Sequence, residues 1–313
     1  MTGRRLFTRN DLELLAAVLI WGFNMTVVKV GLREVGPLAY NLVRFGCASV
    51  VLLGLTRWRE KTLAVAREDV GRILLLGLLG HTVYQICFIE GLARTTASSA
   101  SLLFGSTPVV VALMSRLAGH ETITPAAAGG TLLGFYGVYT IVAGTPGAPD
   151  FARMTQGATA SGNLLIVAAV LCWSGYTVLS RNLLQRYSPL RVTSLSVAAG
   201  TLFMAPVSLP EALRQDWSSV SAVAWAGVFY SFLFALVVSY LIWYRAVKAV
   251  GNLKTSVYSN LVPFIGTLFG VGLLGERVTA GLGLGAACVL AGILLTRVGG
   301  RPVTPPAGSS TMN

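Results

Sequence analysis

Charge is scarce in this sequence. Only 12% of its 313 residues are Asp, Glu, Lys or Arg, about half of the ~25% usual in soluble domains. That scarcity excludes an ordinary solvated globule. Histidine and cysteine are rarer still, two and four. Cys47, Cys87, Cys172 and Cys288 form no CxxC pair, which removes redox and metal-binding readings and leaves small apolar packing residues. GxxxxGK[ST], GxSxG and HExxH are all missing. Nucleotide, serine-hydrolase and zinc-protease chemistry therefore have no motif to stand on. The chain reads as no enzyme, with no metal and no cofactor.

What is present is apolar sequence. Hydrophobic residues make up 54% and the mean hydropathy is +0.70. A spanning helix needs about 20 mostly apolar residues. Ten such runs can be laid down: 11–30, 38–56, 71–92, 97–117, 126–143, 160–180, 191–209, 219–244, 255–274 and 279–297. The fourth and ninth each contain a proline, Pro108 and Pro263, and are expected to be disrupted. The eighth is expected to begin with an interfacial turn near Trp217. Arg4, Arg5 and Arg9 before Leu14 to Trp21 mimic a signal peptide, but the apolar stretch runs on to Val30 with no cleavage site, so it reads as the first span. Residues 300–313, rich in Gly, Pro, Ser and Thr, read as a disordered tail.

A net charge of +12 suggests nucleic acid until the charges are placed. With the N-terminus inside, 17 of the 24 Lys and Arg fall in inside intervals and six in outside ones. Arg44 alone lies within a span. The short loops agree under the positive-inside rule. The expectation is ten crossings with both termini cytoplasmic, a lipid bilayer as surroundings and no nucleic-acid partner.

The same membrane motif occurs twice. Ala16-Ala17-Val18-Leu19-Ile20-Trp21 returns as Ala168-Ala169-Val170-Leu171-Cys172-Trp173, an offset of 152. Pro108 and Glu121 return as Pro263 and Glu276, an offset of 155. Duplication implies two repeats: 11–143 and 159–297, joined by a linker at 144–158 and followed by a tail at 298–313. Each repeat holds five crossings. Five is odd, so the second enters from the opposite face and the pair is inverted. The expected fold is an all-α membrane protein of two inverted five-helix repeats. Such a pair alternates access to a site between them near the midplane.

Trp21-Gly22-Phe23-Asn24 with Lys29-Val30-Gly31-Leu32, Pro108-Val109 with Gly119-His120-Glu121, and Pro263-Phe264 with Leu274-Gly275-Glu276-Arg277 resemble the drug/metabolite transporter superfamily, EamA family. Thr124, Gly130 and Gly137 recur as Thr279, Gly285 and Gly292. The likeness runs from about residue 11 to 297. It implies ten helices, a bacterial-type inner membrane and export of small metabolites, often amino acids. The second copy departs at Trp173-Ser174-Gly175-Tyr176, where Asn24 has no amide counterpart. Two other functions stand beside the exporter: a flippase for a lipid-linked sugar, and an intramembrane enzyme.

Candidate substrate contacts are Trp21, Asn24, Arg44, His81, Tyr84, Gln85, Trp173, Tyr176 and Tyr258. Arg44 costs at least ~2.5–3.5 kcal/mol in a span, so either a substrate carboxylate offsets it, or it pairs with Glu90, or it snorkels. His81, Tyr84, Gln85 and Phe88 share a helical face at i, i+3, i+4 and i+7, which suits a cavity wall or interhelical hydrogen bonds. His81 is either a packed residue or a proton carrier. Trp21 and Trp173, equivalent in the two repeats, are expected to flank the shared axis, where they either suit an apolar or aromatic substrate, with a cation–π contact to an ammonium group, or simply pack as core; the resemblance makes that substrate a neutral or aromatic amino acid. Trp243 and Tyr244 read as interfacial belt. Pro108 and Pro263 are candidate hinges. Glu121 and Glu276 are caps, salt-bridge partners or gates. Gly130-x-x-x-Gly134 and Gly281-x-x-x-Gly285 allow close helix approach, either between repeats or in a homodimer.

Overall fold

A computed structural model describes residues 8–95, 97–143, 157–274 and 280–299. Every regular element among them is helical. Helix α1 spans Arg9–Gly31 and α2 Pro37–Glu60. Next, α3 (Arg67–Gly77) runs through a π turn at Leu78–Val83 into α4 (Tyr84–Arg94). Helices α5 (Ala97–Gly105) and α6 (Thr107–Leu117) follow, then α7 (Pro125–Ala143). The chain resumes with α8 (Gly157–Arg186) and α9 (Pro189–Arg214). A 3-10 turn at Trp217–Ser219 leads to α10 (Ala222–Tyr230), a π turn at Ser231–Val238 and α11 (Ser239–Val250). Then come α12 (Asn252–Ser256), a 3-10 turn at Val257–Asn260, α13 (Leu261–Leu274) and α14 (Ala280–Gly299).

Each expected apolar run is helical over most of its length. Among the described residues six helices are long and apolar enough to cross a membrane, and Leu102–Leu117 and Gly283–Val298 are shorter apolar helices. Side chains such as Leu19, Leu171, Leu202 and Leu213 stand exposed, as a lipid-facing surface requires. This is a multi-pass membrane protein. Glu276, Arg277, Thr279, most of the linker and the tail lie outside the described residues.

The helix starts follow capping chemistry. Thr8 and Asp11 close a capping box on α1, with the Thr8 backbone N–H donating to Asp11 Oδ2 at 2.6 Å. Ser188 accepts from the Arg191 amide at 3.0 Å at the start of α9, with Pro189 at a first-turn position that needs no donor.

The expected disruptions of the fourth and ninth runs are present, but the prolines do not make them. The breaks come earlier, at Ser106 and at Val257–Asn260. Pro108 and Pro263 fall in the first turns of α6 and α13, where a missing N–H costs least. The carbonyl that Pro108 leaves free, that of Phe104, accepts instead from Thr107 Oγ1 at 2.6 Å.

Residues related by the sequence offset meet each other. Ser49 on α2 and Thr201 on α9, 152 apart, share a hydrogen bond of 2.8 Å. Helices α7 and α14 cross antiparallel through glycine. A β-carbon on Gly130 would lie 2.6 Å from the Gly292 carbonyl, and one on Gly137 would lie 2.6 Å from that of Gly285. Gly285 and Gly292 are the sequence counterparts of Gly130 and Gly137. This glycine face is therefore used within the chain, between its two halves.

Candidate functional site

The pairing of equivalents continues at the centre. Trp21 on α1 meets Trp173 on α8 edge to face, with centroids 6.0 Å apart and planes at 83°. Helix α11 adds Tyr240, 6.1 Å from Trp21 and 5.8 Å from Trp173, and Trp243, 5.1 Å and 6.1 Å from the same rings. Tyr84 on α4 lies 5.4 Å from Trp173. Each such contact contributes roughly 0.5–1.5 kcal/mol beyond burial, so the rings hold the helices together at this point. Trp21 and Tyr84 are only half-buried. A π turn fixes Trp21: its indole Nε1 donates to the Ala235 carbonyl at 2.9 Å, inside Ser231–Val238, where the regular helical ladder is interrupted.

The other π turn carries His81, which is fully buried. Its Nε2 lies 3.0 Å from Tyr176 Oη, and Tyr176 Oη lies 2.9 Å from Ser196 Oγ. The imidazole stacks on Tyr240 at 5.5 Å. Only glycine fits opposite: a β-carbon on Gly200 would come within 2.3 Å of His81 Cβ. One turn along, Gln85 Oε1 accepts from Arg44 Nη2 at 3.0 Å, and Asn41 Oδ1 accepts from Arg44 Nε at 2.8 Å. The expected alternative partner, Glu90, pairs with its helix neighbour Arg94 at 2.9 Å instead. Arg44 does not snorkel either, being 5% exposed.

Seven of the nine candidate contacts are thus contiguous: Trp21, Arg44, His81, Tyr84, Gln85, Trp173 and Tyr176. Asn24 lies apart, accepting at Oδ1 from Ser231 Oγ at 2.7 Å, with Tyr40 Oη 2.9 Å from that serine. Tyr258 lies apart too, donating to Asp11 Oδ1 at 2.6 Å. Trp243 and Tyr244 are not interfacial. Both are fully buried, and Tyr244 packs 5.1 Å from Tyr176. Their spacing with Tyr240 and Val247, at i, i+3, i+4 and i+7, was the available sign of an inward face; proximity to the end of a run concealed it.

Tyr258 belongs to a second constellation, at the end of the bundle where α1 begins. Five ion-paired groups join the halves there. Arg297 meets Asp11 at 2.5 Å, Arg245 meets Glu13 at 3.4 Å and Arg191 meets Glu60 at 2.8 Å. Arg186 takes Glu68 at 2.7 Å and Asp69 at 2.8 Å, and Arg181 takes Glu121 at 2.8 Å. In each, the first half gives the carboxylate and the second half gives the arginine. Glu121 is both salt-bridge partner and cap: it accepts from the Asn252 and Leu253 amides at 2.6 and 3.1 Å, just after Gly251 turns the chain at φ 92°. Burial, then the charge of Arg181, lowers the pKa of neighbouring His120, which keeps that imidazole neutral beside the pair. At the opposite end the halves meet through neutral donors. Glu34 accepts from Ser221 N and Oγ at 2.7 and 2.8 Å, and Glu211 from the Leu38 and Ala39 amides at 3.1 and 3.2 Å.

The EamA-like transporter family matches residues 9–143 and, again, 160–298. The chain belongs to the EamA-like transporter family. Among relatives of this EamA-like chain, an uncharacterized transporter of Archaeoglobus fulgidus is 27% identical over 92% of this chain and 97% of its own. The transporter YetK of Bacillus subtilis is 29% identical over 91% and 85%. A protein of Streptantibioticus cattleyicolor named "probable terminal-alkyne amino-acid exporter" is 27% identical over 90% and 91%. A crystal structure at 19% identity superposes with a TM-score of 0.78, covering 92% of this chain and 96% of that one, and shares the fold. The EamA-like chain is a transporter, not an enzyme. Each matched stretch carries one tryptophan of the central pair, one π turn and one early break before its proline.

Proposed function

We propose that this EamA-like chain is a secondary transporter exporting small metabolites, amino acids of neutral or aromatic type among them. Ten crossings form two inverted five-helix repeats, with the linker near 144–158 and both termini cytoplasmic, in a bacterial-type inner membrane. The observation that carries this reading is the meeting of Trp21 with its repeat equivalent Trp173. Two equivalents touch where a two-fold axis passes, and the antiparallel α7–α14 crossing supports an axis running across the helices. Such an axis lies in the membrane plane and relates inverted repeats. The relative named as an amino-acid exporter and the half-buried aromatic rings support the substrate class.

In this reading the ion-paired end is the cytoplasmic gate, closed, and the neutral end faces out. Pro108 and Pro263, each just past a break, mark where α6 and α13 swing on their short leading segments. The candidate contacts keep their role in the central cluster, while Asn24 and Tyr258 act at its two ends. Flux of radiolabelled phenylalanine, leucine and alanine into proteoliposomes, with and without a pH gradient, tests the proposal. Saturable flux that Trp21→Ala abolishes is expected. Lipid scrambling without amino-acid flux would replace it with the flippase.

A further inference from the structure

Arg44 is a buried cation whose neighbours among the described residues supply no negative charge. Its hydrogen bonds go to two neutral amide oxygens, Asn41 Oδ1 and Gln85 Oε1. Its guanidinium carbon lies 5.9 Å from the Tyr40 ring and 5.3 Å from the Phe45 ring, which offsets part of the burial cost but leaves the net charge in place. Of the sequence's twelve carboxylates, Asp150 and Glu276 lie outside the described residues. The other ten are engaged elsewhere, at the ion-paired end, with Arg94, or on Ser221, Ser218 and the α2 amides. An arginine cannot shed its proton to escape. Beside it, Asn41 is 1% exposed and its Nδ2 has no hydrogen-bond partner among the described residues. Buried donors in that condition are rare without a ligand or water.

We infer that Arg44 and Asn41 are the receptor for a carboxylate on the transported molecule, and that Arg44 sets charge specificity. The inference rests on the transporter reading above. The site takes solutes with a carboxylate, whether zwitterionic or anionic, and rejects solutes whose only charge is positive. A carboxylate would meet the guanidinium with charge-assisted hydrogen bonds and occupy the free Asn41 N–H. An attached aromatic or aliphatic group would extend toward Tyr84 and the tryptophan pair. An ammonium group alone would meet a like charge that has no counter-ion.

The test compares three probes that share one side chain: L-phenylalanine, 3-phenylpropionate (carboxylate only) and phenethylamine (ammonium only). Tryptophan fluorescence of the purified chain in nanodiscs reads binding, since Trp21, Trp173 and Trp243 form the cluster. The wild type binds the first two saturably and not the third. Arg44→Gln weakens both carboxylates by at least about tenfold, the loss of a charge-assisted contact. Arg44→Lys keeps the preference for carboxylates at lower affinity, and Asn41→Leu weakens them without admitting the amine. These two variants decide the matter if Arg44→Gln does not fold. Phenethylamine binding the wild type as well as phenylalanine, carboxylates binding Arg44→Gln unchanged, or neither carboxylate binding the wild type would each overturn the inference. Carboxylate binding without flux of any solute would overturn the transporter reading and leave the receptor standing. Flux whose charge preference survives Arg44→Gln would do the reverse.

Discussion

Trp21 shows how a single residue serves the fold and the candidate site together. Its ring joins Trp173, Tyr240 and Trp243, while its N–H fills the carbonyl that a π turn leaves open at Ala235. Trp21→Phe keeps an aromatic ring and removes the donor together with the second ring of the indole. An orphaned buried carbonyl costs about 1–3 kcal/mol. The expected result is a lower thermal midpoint in detergent, with faster hydrogen exchange confined to Ser231–Val238. An unchanged midpoint would mean that water replaces the indole. At the surface, Glu34 behaves oppositely. The Ser221 amide, and then its hydroxyl, hold the Glu34 carboxyl below its ordinary pKa of 4.5. A lowered folded-state pKa means the contact contributes fully above 4.5 and is lost as pH falls through the folded value. The protection factor of the Ser221 amide, its exchange rate divided into the intrinsic rate at each pH, should therefore be constant at neutral pH and should fall on acidification. Glu34→Gln should remove that pH dependence.

Helices in this bundle were legible to different depths. Apolar run length and loop charge mark where helices lie, because both follow from the cost of placing polar groups in lipid. The breaks at Ser106 and Val257–Asn260 were half-legible: proline flags the region, but a proline in the first turn does not itself end the preceding helix. The π turns left no trace in the sequence, since neither Leu78–Val83 nor Ser231–Val238 contains a proline to mark an interrupted ladder; the contacts with Gly200 and Trp21 reveal them only in three dimensions. The glycines of α7 and α14 suggested close approach without naming the partner. Backbone carbonyls stand within 2.6 Å of where a β-carbon would be, so no side chain can yield there. Gly137→Ala should lower stability by about 1–3 kcal/mol. Gly283→Ala, on the same pair of helices but in open space, should be nearly silent. Equal effects in a thermal or denaturant titration would show that α7 and α14 separate easily.

At the scale of the whole molecule the two halves differ in charge although they match in fold. Repeat offset, hydropathy and the central tryptophans were readable because duplication preserves them. The pairing of first-half carboxylates with second-half arginines was not, because it depends on which helix ends converge. Those pairs are unequal. Arg245 and Glu13, with side chains 52% and 20% exposed, contribute about 0–1 kcal/mol. Arg181 with Glu121, at 7% and 13%, and the fully buried Asp69 lie nearer the range where breaking a pair costs about 3–5 kcal/mol. In the proposed alternating-access cycle these pairs would bias which end is closed, and moving such an equilibrium from 1:99 to 99:1 takes about 5.5 kcal/mol. Arg191 and Glu60, at 19% and 18%, are intermediate and make the cleanest test, because neither contacts the aromatic cluster. Arg191→Glu places two carboxylates together. Hydrogen exchange should then rise across the start of α9 and the end of α2, and the proposed alternating access expects the Glu34–Ser221 end to become more protected. Adding Glu60→Arg restores opposite charges in reversed order and should recover most of the protection, a coupling of about 1–2 kcal/mol. A charge swap that stays as open as the single variant, or a single variant that exchanges like the wild type, would show that packing rather than charge keeps this end closed.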